Sequence, residues 1–253
     1  MIYITGDIHG EIDINKLSRR NWPEEKNLTK DDFLVILGDF GFPFYDKEIM
    51  QMRGYMGEYR YWTRWLAKKS YTILFIDGNH ENFNFWDTQP VTEKWGGKVQ
   101  HHPDIPNVYR LMRGEIYEID GKKIFTFGGA VSIDKIGRIK DISWWEQEQA
   151  TNGQIKYARK NLATHNNTVD YIFTHTMPQE IIRSIGYLPI PDNGAEYFDE
   201  ILHTVNYKVW ACGHFHRDGI DPDYRIRLCY EDIENINMTE QKINIMREDE
   251  YNA

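Results

Sequence analysis

Short apolar runs recur along the chain, and each gives way to polar residues, usually with glycine. Met1–Thr5 (MIYIT) leads into Gly6-Asp7, Phe33–Leu37 (FLVIL) into Gly38-Asp39, and Tyr71–Ile76 (YTILFI) into Asp77-Gly78. Val169–Phe173 (VDYIF) and Tyr207–Cys212 end the same way, in Thr174-His175 and Gly213-His214. Runs of this length and character are predicted strands, buried on both faces. The polar stretch from Glu11 to Arg20 is expected to be helical. So are the amphipathic stretch from about Asp46 to Lys69, the stretch from Ser143 to about Ala163, and Asn193–Thr204. Alternation of buried strands with helices predicts an α/β sheet.

Glu115–Ile119 and Lys123–Phe127 flank Asp120-Gly121, a hairpin signal. Tyr224–Tyr230 and Lys242–Met246 read as further hairpin-like strands closing the chain. Mixing βαβ units with hairpins predicts two packed sheets covered by helices. No Pro/Ser-rich linker, repeat or low-complexity segment divides residues 1–253, so a single domain is expected.

Composition changes the picture in three places. A formal charge of −9 leaves no basic footprint, so non-specific nucleic-acid binding is not expected. Cys212 and Cys229 are too few for a disulfide framework or a Cys-type zinc site, and Cys212, ending a strand, reads as a small hydrophobe. The first strand begins at once, and no apolar run approaches membrane-spanning length. A soluble, cytoplasmic protein with no membrane partner is expected.

Candidate chemistry sits where the strands run out: Asp7 and His9, Asp39, Asn79 and His80, His175, then His214 and His216. Carboxyl ends of strands are where loops converge on one edge of a layered α/β protein, and five of the nine histidines fall there. Singly, Asp7, His9, Asp39 and Asn79 fit turn and capping roles equally well. Together the eight residues make two carboxylates, one amide and five imidazoles without a thiolate, a set suited to Mn, Fe or Zn rather than Mg or Ca. Eight candidates exceed one tetrahedral site. They suffice for two ions about 3.5–4 Å apart sharing a carboxylate, the arrangement of two-metal phosphate cleavage.

Other residues receive plainer readings. Glu81 and Asn82 read as caps of the following helix, and His101-His102, before Pro103, as solvated surface. At least one of Trp144 and Trp145 is expected in the core.

GDIHG (6–10), GDFG (38–41), GNHEN (78–82), THTM (174–177) and GHFH (213–216) resemble, in order, the five blocks of the calcineurin-like metallophosphoesterases. FGGAVSID (127–134) and ISWW (142–145) are similar to small bacterial and phage members. The resemblance implies a four-layer α/β/β/α sandwich of two mixed sheets and two divalent ions, Mn first, with Fe, Zn or Ni as alternatives. It implies that Asp7, His9, Asp39 and His216 hold one ion, and that Asp39, Asn79, His175 and His214 hold the other, with Asp39 shared. A bridging hydroxide would attack a phosphate ester in line, while His80 faces the substrate and protonates or stabilises the leaving oxygen, making Asp39 and His80 the catalytic pair.

The chain departs from the protein serine/threonine phosphatase branch, which carries GDxVDRG at the second block. Phe42 stands in place of the acid that orients the catalytic histidine, and Pro43 in place of a phosphate-gripping Arg. That favours phosphodiesterase activity over phosphomonoesterase or protein phosphatase activity. Arg138 is a candidate replacement contact, beside Asn79 and His80. The rival class is a non-catalytic metal-binding scaffold, against which stands the retention of every ligand position.

Overall fold

The computed structural model describes residues 1–188 and 190–251. Thirteen strands are formed among them: β1 (Ile2–Thr5), β2 (Phe33–Ile36), β3 (Thr72–Ile76), β4 (Val91–Lys94), β5 (Gly97–His101), β6 (Val108–Leu111), β7 (Glu115–Ile119), β8 (Lys122–Phe127), β9 (Tyr171–Thr174), β10 (Val209–Cys212), β11 (Gly219–Asp221), β12 (Ile226–Leu228) and β13 (Glu234–Asn235). The α-helices are α1 (Lys47–Arg53), α2 (Met56–Leu66), α3 (Phe83–Asp87), α4 (Asn152–Thr164), α5 (Gln179–Ser184), α6 (Asn193–Thr204) and α7 (Ile236–Tyr251). The strands form two mixed sheets, ordered β13-β1-β2-β3-β6-β5-β4 and β11-β12-β10-β9-β8-β7.

The layers follow from side-chain alternation within these strands. Val35, Leu37, Leu74 and Ile76 of the first sheet meet Ile124, Tyr171, Phe173, Val209 and Ala211 of the second in one buried cluster. Their neighbours Leu34, Ile36, Ile73 and Phe75 face the other way and pack with Met50, Tyr59, Leu66 and Trp86 of α1, α2 and α3. On the far side Phe125, Phe127, Ile172, Trp210 and Cys212 pack with Ile155, Ala158, Leu162, Ile181, Phe198 and Ile201 of α4, α5 and α6. Two sheets thus share one core and each carries a helical layer outside, giving the expected α/β/β/α order.

β1, β2, β3 and β6 run parallel, as do β8, β9, β10 and β12. Register pairs Ile4 with Val35 and Val35 with Leu74 in the first sheet, and Ile172 with both Phe125 and Trp210 in the second. The carboxyl ends of β1, β2, β3, β9 and β10 therefore open onto one shared edge.

Several expected elements differ. Glu11–Arg20 supplies only a 3-10 turn at Ile14–Leu17, because Lys16 is drawn inward, its ammonium donating to the carbonyls of Gly6, Asp7 and Tyr230 at 3.0, 2.6 and 2.6 Å. The Asp46–Lys69 stretch breaks into α1 and α2 at Gly54, which caps α1 with φ +78°. Ser143–Ala163 holds a 3-10 turn at Glu146–Glu148 before α4 starts behind its Thr151 cap. Lys242–Met246 is no strand but part of α7, where Ile236, Thr239 and Ile243 recur at helical spacing and are buried. The Tyr224–Tyr230 run keeps only β12, paired with β10 and β11.

The β4–β5 hairpin and β6 had no place in the expected order. β4 is exposed throughout, so it lacks a periodic signal, and its turn at Trp95-Gly96 uses two positive φ values, +53° and +84°. The β7–β8 hairpin forms as expected, with Asp120-Gly121 at φ +51° and +71°. Among the described residues no helix is long and apolar enough to cross a membrane.

Candidate metal centre

At the shared edge the loops come too close for side chains at certain positions. A Cβ on Gly38 would lie 2.0 Å from Nδ1 of His175, and one on Gly78 would lie 2.0 Å from Oδ1 of Asp39. These two glycines let the loops after β2, β3 and β9 converge. The residues held there are strained: His9, Asp39, His214 and His216 have φ of +48°, +52°, +70° and +47°. Left-handed conformations at non-glycine residues cost of order 1–3 kcal/mol each and persist where the surroundings over-determine them.

Asp39 is the hub. Its Oδ2 lies 3.4 Å from Nε2 of His9 and 3.4 Å from Nε2 of His175, and its Oδ1 accepts the backbone N–H of His80 at 2.7 Å. Potential ligand atoms gather within 4.8 Å of one another in three groups: Asp7, His9 and His216; Asp7, Asp39 and His175; His9, Asp39 and His80. Asn79 joins the second group through Oδ1, 3.0 Å from Nε2 of His175. His214 stands edge-on to His175 with ring centroids 4.8 Å apart, and its backbone N–H donates to Oδ2 of Asp7 at 3.0 Å. The His216 ring stacks on Tyr230 at 4.7 Å and meets His9 edge-on at 4.9 Å. All seven expected ligands and His80 are thus brought together.

The donor set fits cations. Nδ1 of His175 faces the Leu37 carbonyl at 2.8 Å, an acceptor only, so Nδ1 carries the proton and Nε2 turns its lone pair inward. The amide of Asn79 donates through Nδ2 to Ser132 Oγ at 3.1 Å, which leaves its Oδ1 inward as well. Two buried oxygen acceptors, Asn79 Oδ1 and Asp39 Oδ2, converge on His175 Nε2, and such a cluster requires a positive charge at its centre, from a proton on Nε2 or a cation in its place.

Proton affinities report the same field. Burial opposes charge on His175, but Asp39 and then Asp7 outweigh it and push its pKa up to about 10. His9 rises to about 9, again against burial, through Asp39 and its 2.7 Å contact with Asp13. Burial and the neighbouring His175 push His214 down to about 3. The His80 pKa is lowered, chiefly by burial, with Asp39 opposing and Arg138 assisting.

Supporting residues were partly missed in the sequence. Asn82 does cap α3, its side chain accepting the Phe85 N–H at 3.0 Å. Glu81 does not; its carboxylate accepts the N–H groups of Phe40 at 2.7 Å and Gly41 at 3.2 Å across the site. Asp77, directly before Gly78, is buried and ion-paired with Arg110 at 3.2 Å and with Arg113. Nothing local in the sequence marks these cross-loop partners. His102 is buried against Phe85 and Trp86 rather than solvated, because β5 and β6 fold its loop onto α3. Trp145 is core, as expected of one member of that pair, and Cys212 is buried.

Two clefts flank the centre, of about 510 and 400 Å³, and both are lined by His80 and His216. Arg138 lines neither. Its guanidinium donates to Ser132 Oγ at 3.0 Å, to Asp134 Oδ1 at 2.7 Å and to the Ser143 carbonyl, so it braces the loop that holds Asn79.

Residues 1–218 match the calcineurin-like phosphoesterase family, and the chain belongs to that family. It is a metal-dependent phosphoesterase, as the five motif blocks implied. No curated protein matches the chain at a significant level. Similar solved structures include a phosphopantetheinyl hydrolase from Mycobacterium tuberculosis, 13% identical, covering 91% of this chain and 89% of that one with a TM-score of 0.36.

Proposed function

We propose that this chain is a two-metal phosphodiesterase working with Mn, in which Asp39 serves both ions. The observation that carries this reading is the position of Asp39 Oδ2, equidistant at 3.4 Å from His9 and His175, which head otherwise separate ligand sets. Asp7, His9 and His216 with Asp39 would hold one ion, and Asn79, His175 and His214 with Asp39 the other. When bound, such a pair supplies Lewis acidity toward the phosphoryl oxygens and lowers the pKa of water.

The protein's own residues supply the rest. Leu37 and Asp13 orient the rings of His175 and His9, and Ser132 orients Asn79. His80 lines both clefts beside the centre, where it hydrogen-bonds the departing oxygen and gives it a proton. A dianionic monoester calls for a bidentate guanidinium. Pro43 occupies the family position for that Arg, and Arg138 is engaged with Ser132, Asp134 and Ser143. A diester, with one negative charge, needs less of this help.

Ile236 and Ile243 of α7 complete the core between the sheets, which supports reading the chain as one domain. Two buried free thiols, Cys212 and Cys229, suit a reducing, cytoplasmic setting.

The test compares bis(4-nitrophenyl) phosphate with 4-nitrophenyl phosphate on Mn-loaded protein and on Arg138→Ala. The diester is expected to match or exceed the monoester in kcat/KM. A strong monoester preference in the wild type would overturn the phosphodiesterase reading, and its loss in Arg138→Ala would assign the phosphate grip to that residue.

A further inference from the structure

The two clefts differ in chemistry although they meet at the same two histidines. The first presents aromatic rings, Phe44, Tyr45 and Tyr55 among them, with Glu11, Asp13 and Glu58 at its walls. Phe44 lies 6.4 Å from the His80 ring, so the aromatic surface begins beside the reacting centre. Tyr45 and Tyr55 are nearly parallel, 21° apart with centroids at 6.1 Å, and Tyr55 is 43% exposed. The half-exposed Tyr55 ring, backed by Tyr45, offers a π face to a planar group.

The second cleft is aliphatic. Ile133, Ile182, Leu188 and Ile190 line it together with Asn79 and His214. Ile133 and Leu188 are 75% and 86% exposed, so apolar surface stands uncovered directly beside the centre. An alkyl chain laid along it would remove that surface from water.

Charge narrows the choice further. Among the described residues neither lining contains Lys or Arg, whereas Glu11, Asp13 and Glu58 stand in one and Asp134 and Asp192 in the other. Lys16 donates to three backbone carbonyls, and the Arg53 guanidinium lies over the Tyr45 ring at 4.8 Å. A second anionic group on the aromatic arm would enter a negative field without a partner, while in the other cleft Asp134 is paired with Arg138 and the apolar lining itself selects an uncharged arm.

We infer that the centre takes a phosphodiester with two unlike arms, neither negatively charged: a planar ring in the Phe44–Tyr45–Tyr55 cleft and an aliphatic chain in the Ile133–Leu188–Ile190 cleft. The inference rests on the phosphodiesterase reading for its reaction. It excludes polyanionic substrates such as nucleoside triphosphates, nucleic acids and acidic phosphopeptides.

The experiment is calorimetric titration of the Mn-loaded chain with phosphinates, which carry one negative charge and have no P–O ester bond to cleave. Benzyl(hexyl)phosphinate is expected to bind about tenfold more tightly than dibenzylphosphinate or dihexylphosphinate. A 4-carboxybenzyl(hexyl)phosphinate is expected to lose about tenfold, and Glu58→Gln to recover part of that loss. Tyr55→Ala should shrink the preference over dihexylphosphinate, and Leu188→Ser the preference over dibenzylphosphinate. Both side chains are exposed and neither belongs to a buried core cluster. Equal affinities for the three uncharged-arm probes, or tightest binding of the carboxylated one, would overturn the inference. Retention of the affinity order in a protein that hydrolyses no diester would uphold the two-arm site and overturn the phosphodiesterase reading instead.

Discussion

Glu81 receives the backbone N–H of Phe40 at 2.7 Å, tying the loop after β3 to the loop after β2. The same carboxylate takes the Gly41 N–H at 3.2 Å, so two buried donors next to Asp39 depend on one side chain. Glu81→Ala orphans both, at about 1–3 kcal/mol each, and frees the loop that positions Asp39. Urea unfolding is expected to show a loss of roughly 2–4 kcal/mol, and metal titration a drop of about tenfold or more in affinity. Glu81→Gln keeps one acceptor and should fall between. Wild-type stability and metal affinity in Glu81→Ala would show that the contact does not hold the loop.

Asp39→Asn is expected to abolish turnover and to lower metal content at both positions. The amide keeps the shape but loses the charge that faces both His9 and His175. Elemental analysis after gel filtration reads this directly. Two ions per chain with full activity in the variant would refute the shared-ligand arrangement.

His80→Ala should behave differently, leaving both ions in place while turnover falls by roughly 10²–10⁴. The loss should be smaller for nitrophenolate, which scarcely needs a proton, than for an alkoxide leaving group. An equal loss for both would mean that His80 stabilises phosphoryl charge and donates no proton.

His102 makes acid stability testable away from the centre. Burial, with Asp104 opposing, pushes its pKa down to about 3, so the folded protein keeps the ring neutral. The unfolded chain takes up the proton near the ordinary histidine pKa of about 6.5. Unfolded protein therefore binds more protons below that pH, and stability falls as pH drops from about 6.5 toward 3. Between pH 7.5 and 5.5 the single group is worth about 1.4 kcal/mol. His102→Asn retains an acceptor for the Asp104 N–H, which Nδ1 now receives at 3.1 Å. Urea unfolding of metal-free protein at the two pH values should show the wild type losing that much more than the variant. Equal losses would mean the ring takes up its proton within the fold.

The buried parallel strands after which the candidate ligands stand, and the gathering of those residues at one edge, were legible in the sequence because both are written locally. A run such as FLVIL cannot be exposed at acceptable cost, and its end at Gly38-Asp39 marks where the sheet stops. The same holds for YTILFI and VDYIF, whose alternate residues went to opposite layers. Helices failed where a single residue overrode the pattern. Lys16 turned Glu11–Arg20 inward through three carbonyls, and Gly54 broke the long amphipathic stretch. At the chain's end, Lys242–Met246 was too short to distinguish strand from helix until the spacing of Ile236, Thr239 and Ile243 was seen against the core.

The sequence by itself determined which residues could bind metal, since residue type and strand-end position are local properties. Only the tertiary structure decided how they are placed and supported. That Asp39 stands between His9 and His175, that Leu37 fixes the His175 ring, and that Glu81 holds the loop of Phe40 rather than capping α3 are contacts between segments distant in the chain. The same is true of Arg138, whose donors are engaged by Ser132, Asp134 and Ser143. Hydrophobic burial fixes where a strand lies from its own residues alone, whereas a hydrogen bond or ion pair is short-ranged and exists only once folding has chosen which loops touch.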